Sequence, residues 1–262
     1  MTYGSSGPAT RAGRVAVITG ASRGLGAGLA AAFAGEGMRL GLCARTRPDR
    51  PAGTESVTAS VDVTDPRAVD AFAADVVEAF GRIDLWVNNA GVLAPIGPLA
   101  DADPDTLHRH IDINILGVLH GSAAFARHVR ARPGTGALVN VSSGAATNPY
   151  EGWAAYCASK AAVEMISEVI AREEQHHGLA AFAVSPGVVD TDMQALVRST
   201  PPGSFPQVDR FRRIHEDQAF NSPAWVGRFI VEQCMDPSSS AASREGTGTV
   251  RLRVPPDPGA TR

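Results

Sequence analysis

Long apolar runs are missing from this 262-residue sequence. No stretch approaches the roughly 20 residues a membrane helix needs, so no membrane partner is expected. The first twelve residues lack an apolar core and read as a flexible tail, not a signal peptide. Cysteine is scarce. Cys43, Cys157 and Cys234 stand far apart with no C-x-x-C spacing, which argues against a disulfide framework or a zinc site and fits reduced thiols in the cytoplasm. Clustered metal ligands are absent too. His108 and His110 are two apart and share no helix face, and His176 and His177 fall near a helix end, so both pairs are expected to be solvated or capping and no metal is expected. Charge of one sign is also lacking. A formal net charge of −3 supplies no field for nucleic acid. No internal repeat or linker divides the chain, which predicts one domain over 13–262.

What is present is an alternation of short apolar runs and helical segments. Strands are expected at 14–19, 39–44, 57–61, 85–88, 137–141, 180–184 and 250–254. Helices are expected from 27 to 34, from about Pro66 to Phe80, after Pro104 towards Arg130, and from Trp153 to His176. Pro48, Pro51 and Gly53 forbid a long helix over 46–56, and 199–207 and 238–248 read as irregular. Such an alternation predicts an α/β fold, a doubly wound parallel sheet of about seven strands with helices on both faces. Ligands then bind beyond the carboxyl ends of the strands.

Gly20, Gly24 and Gly26 lie between the first strand and the first helix. Glycine permits a tight turn, and the helix N-terminus offers free N–H groups to a pyrophosphate. Tyr156 and Lys160 are four apart on an expected helix and share a face. An ammonium beside a phenol favours phenolate, so Lys160 is expected to lower the tyrosine pKa from roughly 10. A tyrosine so tuned can pass a proton to the oxygen of a carbonyl while a cofactor supplies hydride. Ser142 and Ser143 end the fifth strand, where a hydroxyl can reach a substrate oxygen.

The spacing Thr19-Gly20-x-x-x-Gly24-x-Gly26, followed in order by Asp62-Val63, Asn88-Asn89-Ala90-Gly91, Ser143, Tyr156-x-x-x-Lys160 and Pro186-Gly187-Val188-Val189-Asp190-Thr191, resembles the short-chain dehydrogenase/reductase family over nearly the whole chain. The resemblance implies a Rossmann-like fold. It selects Ser143, thirteen residues before Tyr156, over Ser142. It makes Asn114 the fourth catalytic member, ordering a water on Lys160. It implies cofactor contacts at Gly20, Ser22, Arg23, Gly24, Leu25 and Gly26. Asp62 and Val63 are expected near the adenine, Asn89, Ala90 and Gly91 along the next turn, and Pro186, Gly187, Val189 and Thr191 near the nicotinamide carboxamide. It also implies a homodimer or homotetramer.

NAD-preferring folds carry a carboxylate after the second strand. Here that position is Ala44, followed by Arg45, with Arg23 in the glycine turn. Two guanidinium groups suit a 2′-phosphate, so NADP(H) is the expected cofactor, with Arg47 and Arg50 as further candidates. In the family the segment after Pro186-Gly187, here about 188–220, forms the substrate lid. Val188, Met193, Leu196, Phe205 and Phe211 on that side, with Tyr150 and Trp153 opposite, predict a largely apolar pocket for a small-molecule carbonyl. Ser143-Gly-Ala-Ala146, Gly152-Trp153-x-x-Tyr156-Cys157 and Val189-Asp-Thr-Asp-Met-Gln194 resemble the sepiapterin-reductase and benzil-reductase branch, whose pterin-reducing members carry an aspartate near the last strand. This chain has Arg251 and Arg253 there. A ketone or diketone reductase is therefore expected. An NADP-dependent alcohol dehydrogenase of secondary metabolism and a cofactor-sensing scaffold without turnover remain alternatives.

Overall fold

The computed structural model describes residues 11–235 and 250–260. Apart from its last two residues, the expected tail lies outside this range, as does the polar loop 238–248. Among the described residues the strands β1 (Val15–Thr19), β2 (Arg39–Ala44), β3 (Ser56–Ser60), β4 (Leu85–Asn88), β5 (Gly136–Val141), β6 (Leu179–Ser185) and β7 (Val250–Arg253) form one sheet in the order β3-β2-β1-β4-β5-β6-β7. Every pairing is parallel. The expected doubly wound sheet is thus present, with strand ends shifted by a residue or so. No helix interrupts 46–56.

Both faces are covered, which is why the strands read as unbroken apolar runs. Along β1, Ala16 and Ile18 face one core and Val15 and Val17 the other. The first core is closed by α1 (Gly24–Gly35) and α8 (Pro223–Cys234), through Leu29, Phe33, Val226 and Ile230. The second is closed by α2 (Pro66–Phe80), α4 (Gly117–Arg130) and α5 (Ala154–Glu174), through Phe72, Val76, Phe125 and Ala171. Asp65 caps α2 by accepting from Arg67 N and Ala68 N, and Gly81 ends it in the left-handed region at φ 79°.

The single helix expected from Pro104 to Arg130 is built differently. It runs as α3 (Pro104–Ile111), a π-helical turn at Asp112–Leu116, and then α4. Two further helices, α6 (Asp192–Ser199) and α7 (Val208–Glu216), rise where only a lid segment was expected, with the irregular stretch 200–207 between them. Phe205 is fully buried and stacks on Trp153 at 4.4 Å between centroids and 7° between planes, which fastens this segment to the start of α5.

Candidate active site

The strand order reverses direction of growth between β1 and β4, and a cleft of about 1480 Å³ opens at the carboxyl ends there. That exceeds the usual space of a small-ligand pocket, roughly 300–1,000 Å³, and leaves room for a dinucleotide with a second molecule beside it. Most of the residues expected at the site line this cleft; Arg47, Arg50 and Phe205 do not. Of the catalytic set, Asn114 alone is absent from the lining.

At one end sits the glycine turn. A Cβ on Gly20 would lie 2.8 Å from Ala90 Cα, and one on Gly26 would lie 2.3 Å from Gly20 O, so only glycine lets turn, helix and β4 loop meet. Asn89 fastens the two loops. Its Nδ2 donates to Thr19 O at 2.9 Å and Gly20 O at 3.1 Å, while Thr19 Oγ1 accepts from the N–H groups of Asn89 and Ala90. The first turn of α1 carries no acidic side chain and no side-chain cap, unlike α2. Its free N–H groups are left for an acceptor from outside the chain. These features fit a dinucleotide pyrophosphate.

Beyond β2, Arg45 is exposed and its guanidinium has no ion pair among the described residues. It lies close enough to Asp62 to help hold that carboxyl below its usual range, after the larger effect of the hydrogen bond from Thr64 N. Arg23 is engaged elsewhere: its Nη1 donates to Asp192 Oδ2 at 2.8 Å, tying the glycine turn to α6. Arg47 is committed to β3 through Thr58 Oγ1 and Thr58 O. It does not line the cleft, and neither does Arg50.

Midway along the cleft Ser143, Tyr156 and Lys160 come together. Lys160 is the only lysine in the chain. Its Nζ donates to Val141 O at 2.8 Å and lies 5.6 Å from the Tyr156 ring centroid. Burial pushes the Lys160 ammonium down to about 8. The Tyr156 phenol goes the other way, up to about 12 through burial, with a hydrogen bond from Ser143 pulling against it. The expected lowering by Lys160 is therefore not found. Both groups are out of water, which disfavours the charged form of each: the ammonium of Lys160 and the phenolate of Tyr156. Ser142, by contrast, is buried and donates to Glu164 Oε1 at 3.1 Å.

Asn114 stands behind this group, in the π-helical turn. Its Oδ1 accepts from Val92 N and its Nδ2 donates to Val92 O, both at 2.8 Å. Its Nδ2 also lies 3.0 Å from His110 Nε2. His110 is fully buried, not solvated as its sequence neighbourhood suggested. Its Nδ1 lies 2.8 Å from Ala94 O and its Nε2 3.1 Å from Ser159 Oγ. A proton on Nδ1 directed at Ala94 O leaves Nε2 as an acceptor for Asn114. Burial first, and then the Lys160 charge, hold its pKa below the usual histidine value.

The far end mixes apolar and polar walls. Val188, Met193, Leu196 and Phe211 line it opposite Tyr150 and Trp153, as expected, but Phe205 is withdrawn into the packing behind Trp153. Gln194 and Arg253, which the sequence offered only as part of a motif and of the last strand, line the same space, as do Gln207 and Arg210, which sequence reasoning missed. The arginines two apart on the last strand were visible in the sequence, but not which of them faces the cleft. Among the described residues no group of three or more His, Cys, Asp or Glu side chains could hold a metal ion, and no helix is long and apolar enough to cross a membrane.

The chain matches a family model described as short chain dehydrogenase over residues 14–202. It is 32% identical over 221 residues to the benzil reductase ((S)-benzoin forming) of Bacillus subtilis, covering 82% of this chain and 90% of the relative. It is 34% identical over 212 residues to the D-erythrulose reductase of Gallus gallus, covering 75% and 84%. A short chain dehydrogenase from Burkholderia cenocepacia, solved in complex with NADP, superposes with a TM-score of 0.73 at 28% identity, covering 94% of this chain and 98% of that one.

Proposed function

The chain belongs to the short-chain dehydrogenase/reductase family of oxidoreductases, and within it we propose an NADP(H)-dependent carbonyl reductase that uses Tyr156 as its proton donor. The observation that carries this reading is the buried Tyr156 phenol, hydrogen-bonded by Ser143 and beside the sole lysine, on the wall of a dinucleotide-sized cleft. A bound nicotinamide supplies the hydride. The protein holds the carbonyl oxygen on the hydroxyls of Ser143 and Tyr156, so that a proton stands where negative charge develops. A phenol whose pKa is about 12 keeps its proton at neutral pH, which suits the reductive direction. Lys160 restores the proton, and Asn114, fixed by Val92 and His110, connects that relay to solvent. Gly20, Ser22, Leu25 and Gly26 cradle the pyrophosphate, Asp62 and Val63 the adenine, and Asn89 to Gly91 and Pro186 to Thr191 the nicotinamide half. The segment 188–220 serves as substrate lid. The protein acts in the cytoplasm as a homodimer or homotetramer.

The relatives that reduce benzil and erythrulose support a carbonyl substrate, and the neighbour solved with NADP supports the cofactor. The test is loss of NADPH absorbance with a panel of ketones and aromatic diketones. Tyr156→Phe is expected to abolish most turnover and keep NADPH binding. Ser143→Ala is expected to cost more activity than Ser142→Ala. A Phe variant with near wild-type kcat, or the reverse serine order, would refute the assignment. A protein that binds NADPH yet reduces nothing in the panel would instead be the cofactor-sensing scaffold.

A further inference from the structure

Arg251 and Arg253 are two apart on β7 and project from the same side of the strand. Their surroundings differ. Arg251 Nε donates to Glu168 Oε1 at 2.7 Å, and its Nη1 lies 3.1 Å from Glu164 Oε2, so its charge is met by α5. Arg253 stands one step nearer the carboxyl end of the strand, past those glutamates. It has no carboxylate partner among the described residues and lines the cleft next to Ser143-Gly144, with Nη2 3.8 Å from where a Cβ on Gly144 would be. From α7, Arg210 lines the same cleft and donates from Nη1 to Tyr150 Oη at 3.3 Å.

Among the described residues the carboxylates lining the cleft are Asp62 and Asp192. Asp62 is held by Thr64 beside Arg45, and Asp192 is held by Arg23. The stretch bounded by Ser143, Tyr150 and β7 therefore carries two guanidinium groups and no acid. Uncompensated positive charge in a half-enclosed cleft attracts an anion more strongly than the same charge in open water. A planar guanidinium with unused donors matches a carboxylate in two-point geometry.

Resting on the carbonyl-reductase reading above, we propose that this end of the cleft is an anion subsite and that the preferred substrates are oxo acids. Arg253 holds the carboxylate, Arg210 adds positive charge from the lid side, and the carbonyl lies on Ser143 and Tyr156. The aromatic wall of Tyr150 and Trp153 accommodates the remaining apolar part, which favours aryl or bulky alkyl oxo acids over short ones. In the reaction hydride from NADPH bonds to the carbonyl carbon, the C=O π bond becomes the O–H bond with the proton of Tyr156, and the carboxylate is unchanged. The products are a hydroxy acid and NADP⁺, with the Tyr156 proton replaced from solvent.

The experiment compares phenylglyoxylate and benzoylacetate, each with its methyl ester, at saturating NADPH. Acid and ester share the carbonyl and ring and differ in charge. The acid is expected to exceed its ester in kcat/KM by about tenfold or more, as a charge-assisted contact implies. That ratio is expected to collapse in Arg253→Met and to shrink with added salt, while the Kd for NADPH stays where it was. Arg253 is exposed on its strand, so the variant is compatible with folding. Esters reduced as well as acids, or an acid-to-ester ratio unchanged in Arg253→Met, overturns the subsite. A marked loss of NADPH affinity in that variant overturns it too, because Arg253 would then be reading a cofactor phosphate. If no carbonyl is reduced at all, the reductase reading fails separately. The subsite is then judged by calorimetric titration of phenylglyoxylate into the NADP⁺-loaded protein: binding that Arg253→Met abolishes sustains it, and no binding overturns it.

Discussion

Cofactor preference is expected to depend on Arg45 and to be held in check by Asp192. Ala44 ends β2 and is nearly buried, so the first polar group beyond the strand is the exposed Arg45, whose guanidinium has no ion pair among the described residues. A charge-assisted contact from it to a 2′-phosphate contributes about 1.5–3 kcal/mol, or roughly 10- to 150-fold, and solvent exposure pulls that towards the lower end. Arg23 cannot simply add a second contact, because its guanidinium is on Asp192 at 2.8 Å. Both side chains of that pair are 74% exposed, so the pair itself is weak, yet the carboxylate still competes with phosphate for the same donors. Three variants follow. Arg45→Gln should remove most of the preference for NADPH over NADH. Asp192→Asn should free Arg23 and tighten NADPH by a few-fold, up to about tenfold, with little change for NADH. Ala44→Asp combined with Arg45→Gln should reverse the preference, since the new carboxylate accepts from a free 2′-OH and repels a phosphate. The assay is Kd for each cofactor by nicotinamide fluorescence at low and high salt, and the wild-type preference should shrink as salt rises. Equal affinities at low salt would refute the role of Arg45, and an unchanged Asp192→Asn would show that Arg23 does not reach the phosphate.

Because Lys160 is the only lysine, selectively ¹³C-labelled protein should give one lysine Cε resonance, titrating near 8. Since its folded pKa is below its unfolded value, the folded chain binds fewer protons between about 8 and 10.5, and stability should rise with pH across that window; a midpoint above 10 would contradict this. With Tyr156 still protonated there, kcat/KM for NADPH should fall above pH 8 as Lys160 loses its charge. His110→Leu removes the acceptor for Asn114 Nδ2 in a fully buried place and should cost about 1–3 kcal/mol of stability together with a loss in kcat greater than any change in KM; wild-type melting and turnover would dismiss the network. Ile111, Leu116 and Leu119 near the π-helical turn, with Met165 and Val169 on α5, are exposed apolar side chains, so sedimentation at micromolar concentration should show a dimer or tetramer that Met165→Arg dissociates; a wild-type monomer would end the proposal.

The parts of this site that were legible in the sequence are those whose logic is local. A glycine turn between a strand and a helix, and a tyrosine four residues from a lysine, specify their geometry within a single turn of chain. Asn114 left a local trace as well, a poor helix former among apolar residues, and the chain answers it with a π-helical turn. The start of α8 was equally readable: Ser222 caps Trp225 N and Pro223 occupies the first turn, a signal that sequence reasoning passed over. His110 could not be read this way. Its burial is set by Ala94 and Ser159, 16 and 49 residues away in sequence, and spacing from His108 says nothing about either. The sign of the Tyr156 shift failed for a related reason. A neighbouring charge can be inferred from helical spacing, but the loss of water around a phenol depends on tertiary packing, here on the apolar cluster that gathers Tyr156 with Trp153, Val197 and Phe211 from separate parts of the chain. Arg251 and Arg253 mark the boundary between the two cases. Alternation along a strand gives them one face, and only the extent of α5, whose Glu164 and Glu168 reach the first but not the second, decides which arginine is neutralised and which stays open to a ligand.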